Sequence, residues 1–145
     1  MRDLQRSRVY AWEDAVVAPR DRSAIPFEQA QMLVTGVWLA EQVLYPPRVE
    51  PMPRQARRTW ATGSRTTIRL PQDRPTPTFV ILHEVAHALS STVDGDTDAH
   101  GPDFVGFYMG LLDRRLKIPM PLLMFMAAQH GVTFNLAAKP RFMEA

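Results

Sequence analysis

The stretch that decides the fold is HEVAH at residues 83–87, which follows the apolar run FVIL at residues 79–82. Two histidines four residues apart lie on one face of a helix, where both imidazoles can reach a single metal ion. Glu84 follows the first histidine and points close to the same ion without being needed as a ligand. The pattern therefore predicts a metal-binding helix with His83 and His87 as ligands and Glu84 as the general base.

Apolar residues cover nearly every side of this helix, which we expect to run from Thr78 to about Ser91. Such a helix is typically buried. Burying His83, Glu84 and His87 would be costly unless their polar atoms found partners, and a bound metal ion would supply one. The alternative is a pair of core histidines hydrogen-bonded to the backbone.

A third ligand must come from outside the pentapeptide, because catalytic zinc takes three protein ligands and keeps a fourth position for water. His100 is the best candidate. The remaining histidine, His130, is explained by the predicted C-terminus of the last helix. Asp98 and Asp103 are alternative oxygen ligands.

The composition indicates one globular domain over residues 1–145, with 46% hydrophobic and 22% charged residues. No apolar run approaches the roughly 18 residues of a membrane span, and no signal-peptide region follows the N-terminus. Cysteine is absent, which excludes disulfides and thiolate ligands. We therefore expect a cytoplasmic protein that has no membrane partner.

The chain is rich in arginine, and seven of the arginines fall within residues 48–74. Such a basic region can bind phosphate groups, so a nucleic-acid partner is possible through Arg57, Arg58, Arg65 and Arg69. A solvated basic surface is the commoner explanation of such a cluster.

The N-terminal third predicts three elements. Residues 1–22 have a short apolar group and are interpreted as an opening strand or a tether lying on the core. Ser23 and Pro26 mark the start of a helix, and apolar residues recur at helical spacing as far as Tyr45. The prolines and arginines of residues 46–58 predict an extended connector.

Residues 59–70 are rich in β-branched side chains and predict a strand pair with a turn at Gly63-Ser64. Thr66, Ile68 and Leu70 alternate with polar residues, as in a strand with one apolar face. A strand just before a metal-binding helix can pair with the backbone of an extended peptide, so this strand is a candidate substrate edge. A plain sheet strand is the alternative.

The C-terminal half continues with an acidic loop at residues 94–99, whose carboxylates are expected to accept hydrogen bonds from the ligand histidines. Gly101-Pro102-Asp103 predicts the start of a helix. In that helix Tyr108 is either a core residue or a donor to a reaction oxyanion. A last helix is predicted at residues 122–129, followed by a loose polar tail from residue 137.

HEVAH at residues 83–87 and HGPDF at residues 100–104 together resemble the SprT-like zinc metallopeptidases. The resemblance covers residues 59–116 and is closest to small stand-alone metallohydrolases of actinobacteria and their phages. It implies zinc ligated by three histidines, a glutamate base, and a minimal zincin fold of helices beside a small sheet. Family members that act on DNA-linked proteins have an additional cysteine-ligated zinc module, and this chain has no cysteine with which to build one.

We therefore expect an α+β, zincin-like fold, with a small antiparallel sheet whose edge strand lies beside the metal-binding helix and with further packed helices. The predicted function is a zinc-dependent metallopeptidase acting on a protein or peptide substrate. Zn²⁺ would be held by His83, His87 and His100, and Glu84 would activate water. The alternatives are a zinc-stabilised module that binds nucleic acid or protein without catalysis, and a small-amide hydrolase.

Overall fold

The computed structural model describes residues 3–53 and 61–143, and these residues form a mixed α and β fold. Within them lie five α-helices and one three-stranded sheet, as the predicted α+β class requires. The helices are α1 (Arg6–Trp12), α2 (Phe27–Ala40), α3 (Thr78–Leu89), α4 (Pro102–Leu116) and α5 (Met120–Gln129), and the strands are β1 (Arg48–Pro51), β2 (Thr62–Gly63) and β3 (Thr67–Leu70). No helix in the described ranges combines the length and the apolar character needed to cross a membrane.

The helix α3 is the centre of the fold and is buried on nearly every side, as predicted. It packs against α2 and α4 and against the strands β2 and β3. Its apolar side chains belong to one continuous core with those of α1, α2, α4 and α5. Because α3 is enclosed in this way, the histidines that it carries are held in a rigid setting.

The N-terminus of α3 is capped by the segment that precedes α2. Pro77 stands just before the helix, and its side chain cannot accept hydrogen bonds from the free N–H groups of the first turn. The N–H of Thr78 donates to Ser23 Oγ and that of Phe79 to Asp21 Oδ2, both at 2.8 Å. These bonds satisfy two of the four unpaired donors of the helix and fix its start.

Residues 6–20 of the opening stretch, which was predicted as a strand or tether over residues 1–22, are helical. After α1 the chain continues through a π-helical segment at Glu13–Val17 and a short 3₁₀ turn. Val9, Trp12 and Val16 are buried at spacings of three and four residues, which is a helical period. The strand prediction was wrong because it considered only the apolar group at the start of this pattern.

The helix predicted to run to Tyr45 ends earlier, at Ala40. Gln42 and Tyr45 have φ angles of 63° and 60°, in the left-handed region that does not continue a right-handed helix. The chain then folds back, and the indole of Trp38 donates to the carbonyl of Leu44 at 2.8 Å. The start of this helix, just after a proline, agrees with the prediction.

The sheet has the strand order β1-β3-β2, with β1 parallel and β2 antiparallel to β3. The predicted antiparallel sheet is therefore correct for β2 and wrong for β1, which lies in the predicted connector at residues 46–58. Ile68 and Leu70 of β3 are buried, as the alternation predicts. The strand proposed as a substrate edge is in fact central, whereas β2 is paired on one side only within the described residues.

The C-terminal helices agree with the predictions, but the tail does not. The helix α4 begins directly after Gly101, and α5 begins two residues before the predicted start. The tail is packed rather than loose, because Phe142 stacks on the buried Trp38 with ring centroids 5.7 Å apart. The guanidinium of Arg65 lies 4.3 Å from the centroid of the Phe142 ring.

Candidate metal centre

The structure brings His83, His87 and His100 together at one point. One nitrogen from each imidazole lies within 4.8 Å of the others. The first two lie one turn apart on α3, and His100 stands two residues before α4. His83 and His100 are buried, whereas His87 is partly exposed. The three histidines are thus placed closely enough to hold one metal ion.

Two carboxylates fix the orientation of two of these imidazoles. Nδ1 of His83 lies 2.7 Å from Glu13 Oε2, and Nδ1 of His100 lies 2.6 Å from Asp3 Oδ2. An ionised carboxylate only accepts hydrogen bonds, so each Nδ1 is assigned the proton and each Nε2 the lone pair. The two Nε2 atoms face each other at 3.3 Å. Two facing lone pairs repel, and a metal cation between them, or a proton on one of the two nitrogens, relieves that repulsion.

The surroundings of the histidines change their pKa values in different directions. Burial opposes a charge on His83, but the hydrogen bond to Glu13 and the negative charges of Glu84 and Glu13 outweigh it and raise the pKa. Burial lowers the pKa of His87 well below its ordinary value and also lowers that of His100. Neutral imidazole is the form that ligates metals, so at least two of the three are in the ligating form at neutral pH.

The carboxylates that orient the imidazoles do not come from the acidic loop at residues 94–99, and that prediction was wrong. A turn closed by the Gly101 N–H and the Asp98 carbonyl directs the Asp98 side chain to the start of α4. There Asp98 Oδ2 accepts a hydrogen bond from the N–H of Asp103 at 2.8 Å. Asp103 pairs in turn with Arg141. Neither carboxylate belongs to the histidine cluster, so the structure gives no support to the alternative oxygen ligands.

Tyr108 holds one of the orienting carboxylates. Its hydroxyl is completely buried, donates to Glu13 Oε2 at 2.5 Å, and lies 3.3 Å from the carbonyl oxygen of Phe79. Of the two alternatives stated from the sequence, the structure supports Tyr108 as a core residue. Its hydroxyl contacts Glu13, which in turn contacts His83. His130 caps the C-terminus of α5, as predicted, and is not part of the cluster.

Glu84 and the three histidines line one open pocket of about 370 Å³. Glu84 is 6% exposed, and within the described residues its carboxylate has neither a hydrogen-bond nor an ion-pair partner. Burial raises the pKa of Glu84 to about 7, with a further increase from Glu13 and an opposing effect from His83. A carboxyl group of this kind can both accept and donate a proton near neutral pH.

The walls of the pocket come from two segments that the motif did not identify. One is the start of the chain, with Asp3, Arg6 and Tyr10, and the other is residues 61–63, which include β2. Gly63 packs directly on α3, since a Cβ atom there would lie 2.6 Å from the carbonyl oxygen of Glu84. Only glycine permits this approach, and it places β2 beside Glu84.

Tyr10 forms the aromatic part of the pocket wall. Its ring stacks on His83, with centroids 5.7 Å apart and an interplanar angle of 14°, and tilts against His100 at 5.3 Å. Burial and the charges of Glu84 and Glu13 raise the pKa of the Tyr10 hydroxyl, and the neighbouring Arg6 opposes that rise. Tyr10 is not fully covered by these contacts, since the residue is 39% exposed.

Two of the four arginines predicted to bind nucleic acid have partners within the described residues. Arg65 lies over the rings of Trp38 and Phe142, and Arg69 pairs with Glu50 at 3.6 Å. Arg57 and Arg58 lie outside the described residues.

Comparison of the chain with models of known protein families, with curated proteins and with solved structures found no match. The resemblance to SprT-like peptidases therefore stays a prediction from two short motifs. What the protein does has to be inferred from the geometry of the centre.

Proposed function

We propose that the protein is a zinc-dependent hydrolase that cleaves peptide bonds, with His83, His87 and His100 as ligands and Glu84 as the general base. The observation that supports this most directly is the spacing of the imidazole nitrogens. Two ligand nitrogens at about 2.0–2.1 Å from a tetrahedral zinc ion are about 3.3–3.4 Å apart. The Nε2 atoms of His83 and His100 are 3.3 Å apart and face each other. Three imidazoles form the ligand set of several catalytic zinc sites.

The residues around the centre favour catalysis over a structural role for the metal. A structural zinc site has four protein ligands, and within the described residues the cluster offers three. Asp98 and Asp103, the oxygen ligands considered from the sequence, are held by the start of α4 and by Arg141. A zinc ion bound here would keep one coordination position for water or substrate, which could reach it through the pocket.

Zinc bound at this position would polarise a substrate carbonyl group and lower the pKa of water. Glu84 accepts the proton of the attacking water and then delivers it to the leaving amine, because its carboxylate faces the pocket without another partner. Glu13 and Asp3 hold the imidazoles in the orientation that directs Nε2 to the metal. The pocket therefore contains the groups for each proton transfer of amide hydrolysis.

The strand that would pair with an extended substrate is β2 rather than β3. The strand β3 is paired on both sides, whereas β2 has a single partner in the described part of the chain and lines the pocket. An extended peptide paired with β2 would pass Glu84, because Gly63 lies directly against it. A peptide is therefore preferred over a compact small amide.

Elemental analysis of the purified protein tests the centre first. We expect about one zinc per chain in the wild type, and its loss in His100→Ala. His130→Ala is the matched control, since it removes a histidine that caps α5 and should leave the zinc content unchanged. Absence of zinc from reconstituted wild type, or equal zinc in both variants, would contradict the assignment of ligands.

An activity screen separates peptidase action from the alternatives. Unfolded casein and short peptides should be hydrolysed by the zinc-loaded protein and spared after chelation. Turnover of simple amides alone would indicate a small-amide hydrolase, and absence of all turnover in zinc-loaded protein would favour a non-catalytic binding module.

A further inference from the structure

One positively charged side chain of the pocket beside the histidine cluster, that of Arg6, has no part in the chemistry described above. Arg6 lines the pocket and is exposed to solvent. Within the described residues it forms no ion pair, in contrast to Arg69, Arg114 and Arg141. Neither pocket carboxylate forms an ion pair with it in the described residues: Asp3 accepts a hydrogen bond from His100, and Glu84 is only 6% exposed.

Arg6 is also close to the place where a substrate would react. It lies one turn before Tyr10 on the same face of α1, and its Cζ atom is 5.8 Å from the Tyr10 ring centroid. That ring stacks in turn on the metal-ligand candidate His83. The ring of Tyr10 therefore lies between the guanidinium of Arg6 and the histidine cluster.

We propose that Arg6, together with the Tyr10 hydroxyl, forms a carboxylate-binding subsite that selects peptides with a carboxylate close to the scissile bond. This subsite presupposes the peptidase proposed above and specifies its substrate class. A guanidinium presents parallel N–H donors that match a carboxylate, and a phenol adds one further donor. The carboxylate can be the C-terminus of the peptide or an acidic side chain, since both offer the same two oxygens.

Peptide binding to the Glu84→Gln variant, measured by calorimetry, tests the subsite without cleavage. Four acetylated alanine tetrapeptides serve as probes: one with a free C-terminus, one amidated, and two amidated with glutamate or glutamine as the last residue. We expect the two carboxylate peptides to bind about tenfold more tightly than their neutral counterparts, which is the size of one charge-assisted hydrogen bond. The dissociation constants of the free C-terminus peptide and of the glutamate peptide are then compared. The tighter of the two identifies the preferred source of the carboxylate.

The substitution Arg6→Met should remove this preference while the neutral peptides bind as before. Arg8→Met is the matched control, because Arg8 lies on the same helix, is also exposed and does not line the pocket. Tyr10→Phe keeps the stacked ring and should reduce the preference by about threefold, because it removes the hydrogen bond from the phenol to the carboxylate. A merely structural role for Arg6 would change binding of all four peptides equally.

Three outcomes would overturn the subsite: equal binding of carboxylate and neutral peptides, no binding of any of them, or an Arg8→Met loss as large as that of Arg6→Met. The titrations are repeated without zinc. A preference that persists in the metal-free protein would support the subsite even if the zinc assignment failed, whereas retained turnover in Glu84→Gln would contradict the peptidase mechanism alone.

Discussion

Two helical regions build the centre, and they differ in how directly their roles can be recognised. The helix α3 carries His83, Glu84 and His87 within five residues, so its chemistry lies in one local pattern. The segment at residues 3–17 reaches the same centre with groups that contact the histidines from across the fold. In the proposed mechanism α3 provides the general base and two of the three ligands, and residues 3–17 orient His83 and His100. Substitutions in the two regions should therefore produce effects of different kind and size.

The largest effect is expected in α3, from Glu84→Gln. The amide keeps the shape of the side chain but cannot take the proton of water, so kcat/KM should fall by about 10²–10⁴. Zinc content should be unchanged, because Glu84 is not a ligand. Glu28→Gln, an exposed glutamate at the start of α2, is the control. A Glu84→Gln protein with full zinc and undiminished turnover would exclude the proposed base.

The next effect concerns the close contact between β2 and α3. A Cβ atom at Gly63 would lie 2.6 Å from the Glu84 carbonyl oxygen and 3.0 Å from its Cα, so Gly63→Ala must displace backbone. We expect a loss of about 1–3 kcal/mol in the free energy of unfolding, measured by urea denaturation. A raised KM for peptides should accompany it if β2 aligns the substrate.

Gly36→Ala is the matched control for this substitution. Gly36 is exposed within α2, and a Cβ atom there would meet nothing within 4 Å. Alanine should stabilise the helix by up to about 1 kcal/mol. Equal destabilisation by both substitutions would show that the contact at Gly63 is not the cause.

The N-terminal region is tested by Glu13→Ala, which removes the acceptor for both His83 and Tyr108. We expect zinc affinity to fall by about 10–100-fold, measured by competition with a chelating dye. Glu13→Gln should recover part of the loss, because its amide oxygen can still accept the imidazole proton. The neighbouring Asp14 is exposed, and Asp14→Asn should have no effect. If Asp14→Asn weakened zinc binding as much, a general charge effect would explain both.

The difference between the two regions also accounts for what could be predicted from the sequence. The spacing of His83 and His87 is local, and a helix brings them together whatever the rest of the chain does. The partners in the second region are 70 residues apart for Glu13 and His83, and 97 for Asp3 and His100. Contacts over such distances follow from the packing of α1, which no local pattern specifies.

A usable signal nevertheless existed in the opening stretch. Asp3, Arg6, Tyr10 and Glu13 are spaced by three, four and three residues, which places them on one face of a helix. If this stretch is taken as a helix, its sequence predicts one polar face whose side chains lie close together. The parallel pairing of β1 with β3 had no comparable signal, because a strand of four residues with a proline resembles a connector.

The smallest effect is expected from Asp3→Asn. The Asp3 side chain is 25% exposed, against 7% for Glu13, so water can replace part of its interaction with His100. The asparagine oxygen also remains an acceptor for the imidazole proton. Zinc affinity should therefore fall by less than about tenfold, below the range typical for a buried partner of a ligand histidine. The same dye competition measures it.

Asp94→Asn is the control that distinguishes Asp3 from the acidic loop at residues 94–99 as the source of the carboxylate that orients His100. Asp94 belongs to the acidic loop that was first expected to support the ligand histidines, and it is exposed. Because that loop directs its hydrogen bonds to α4 and to Arg141, the substitution should leave zinc affinity unchanged. A loss in Asp94→Asn equal to that in Asp3→Asn would mean that the loop acts on the centre through long-range charge. If Asp94→Asn keeps its zinc affinity and Asp3→Asn loses part of it, the carboxylate that orients His100 is that of Asp3.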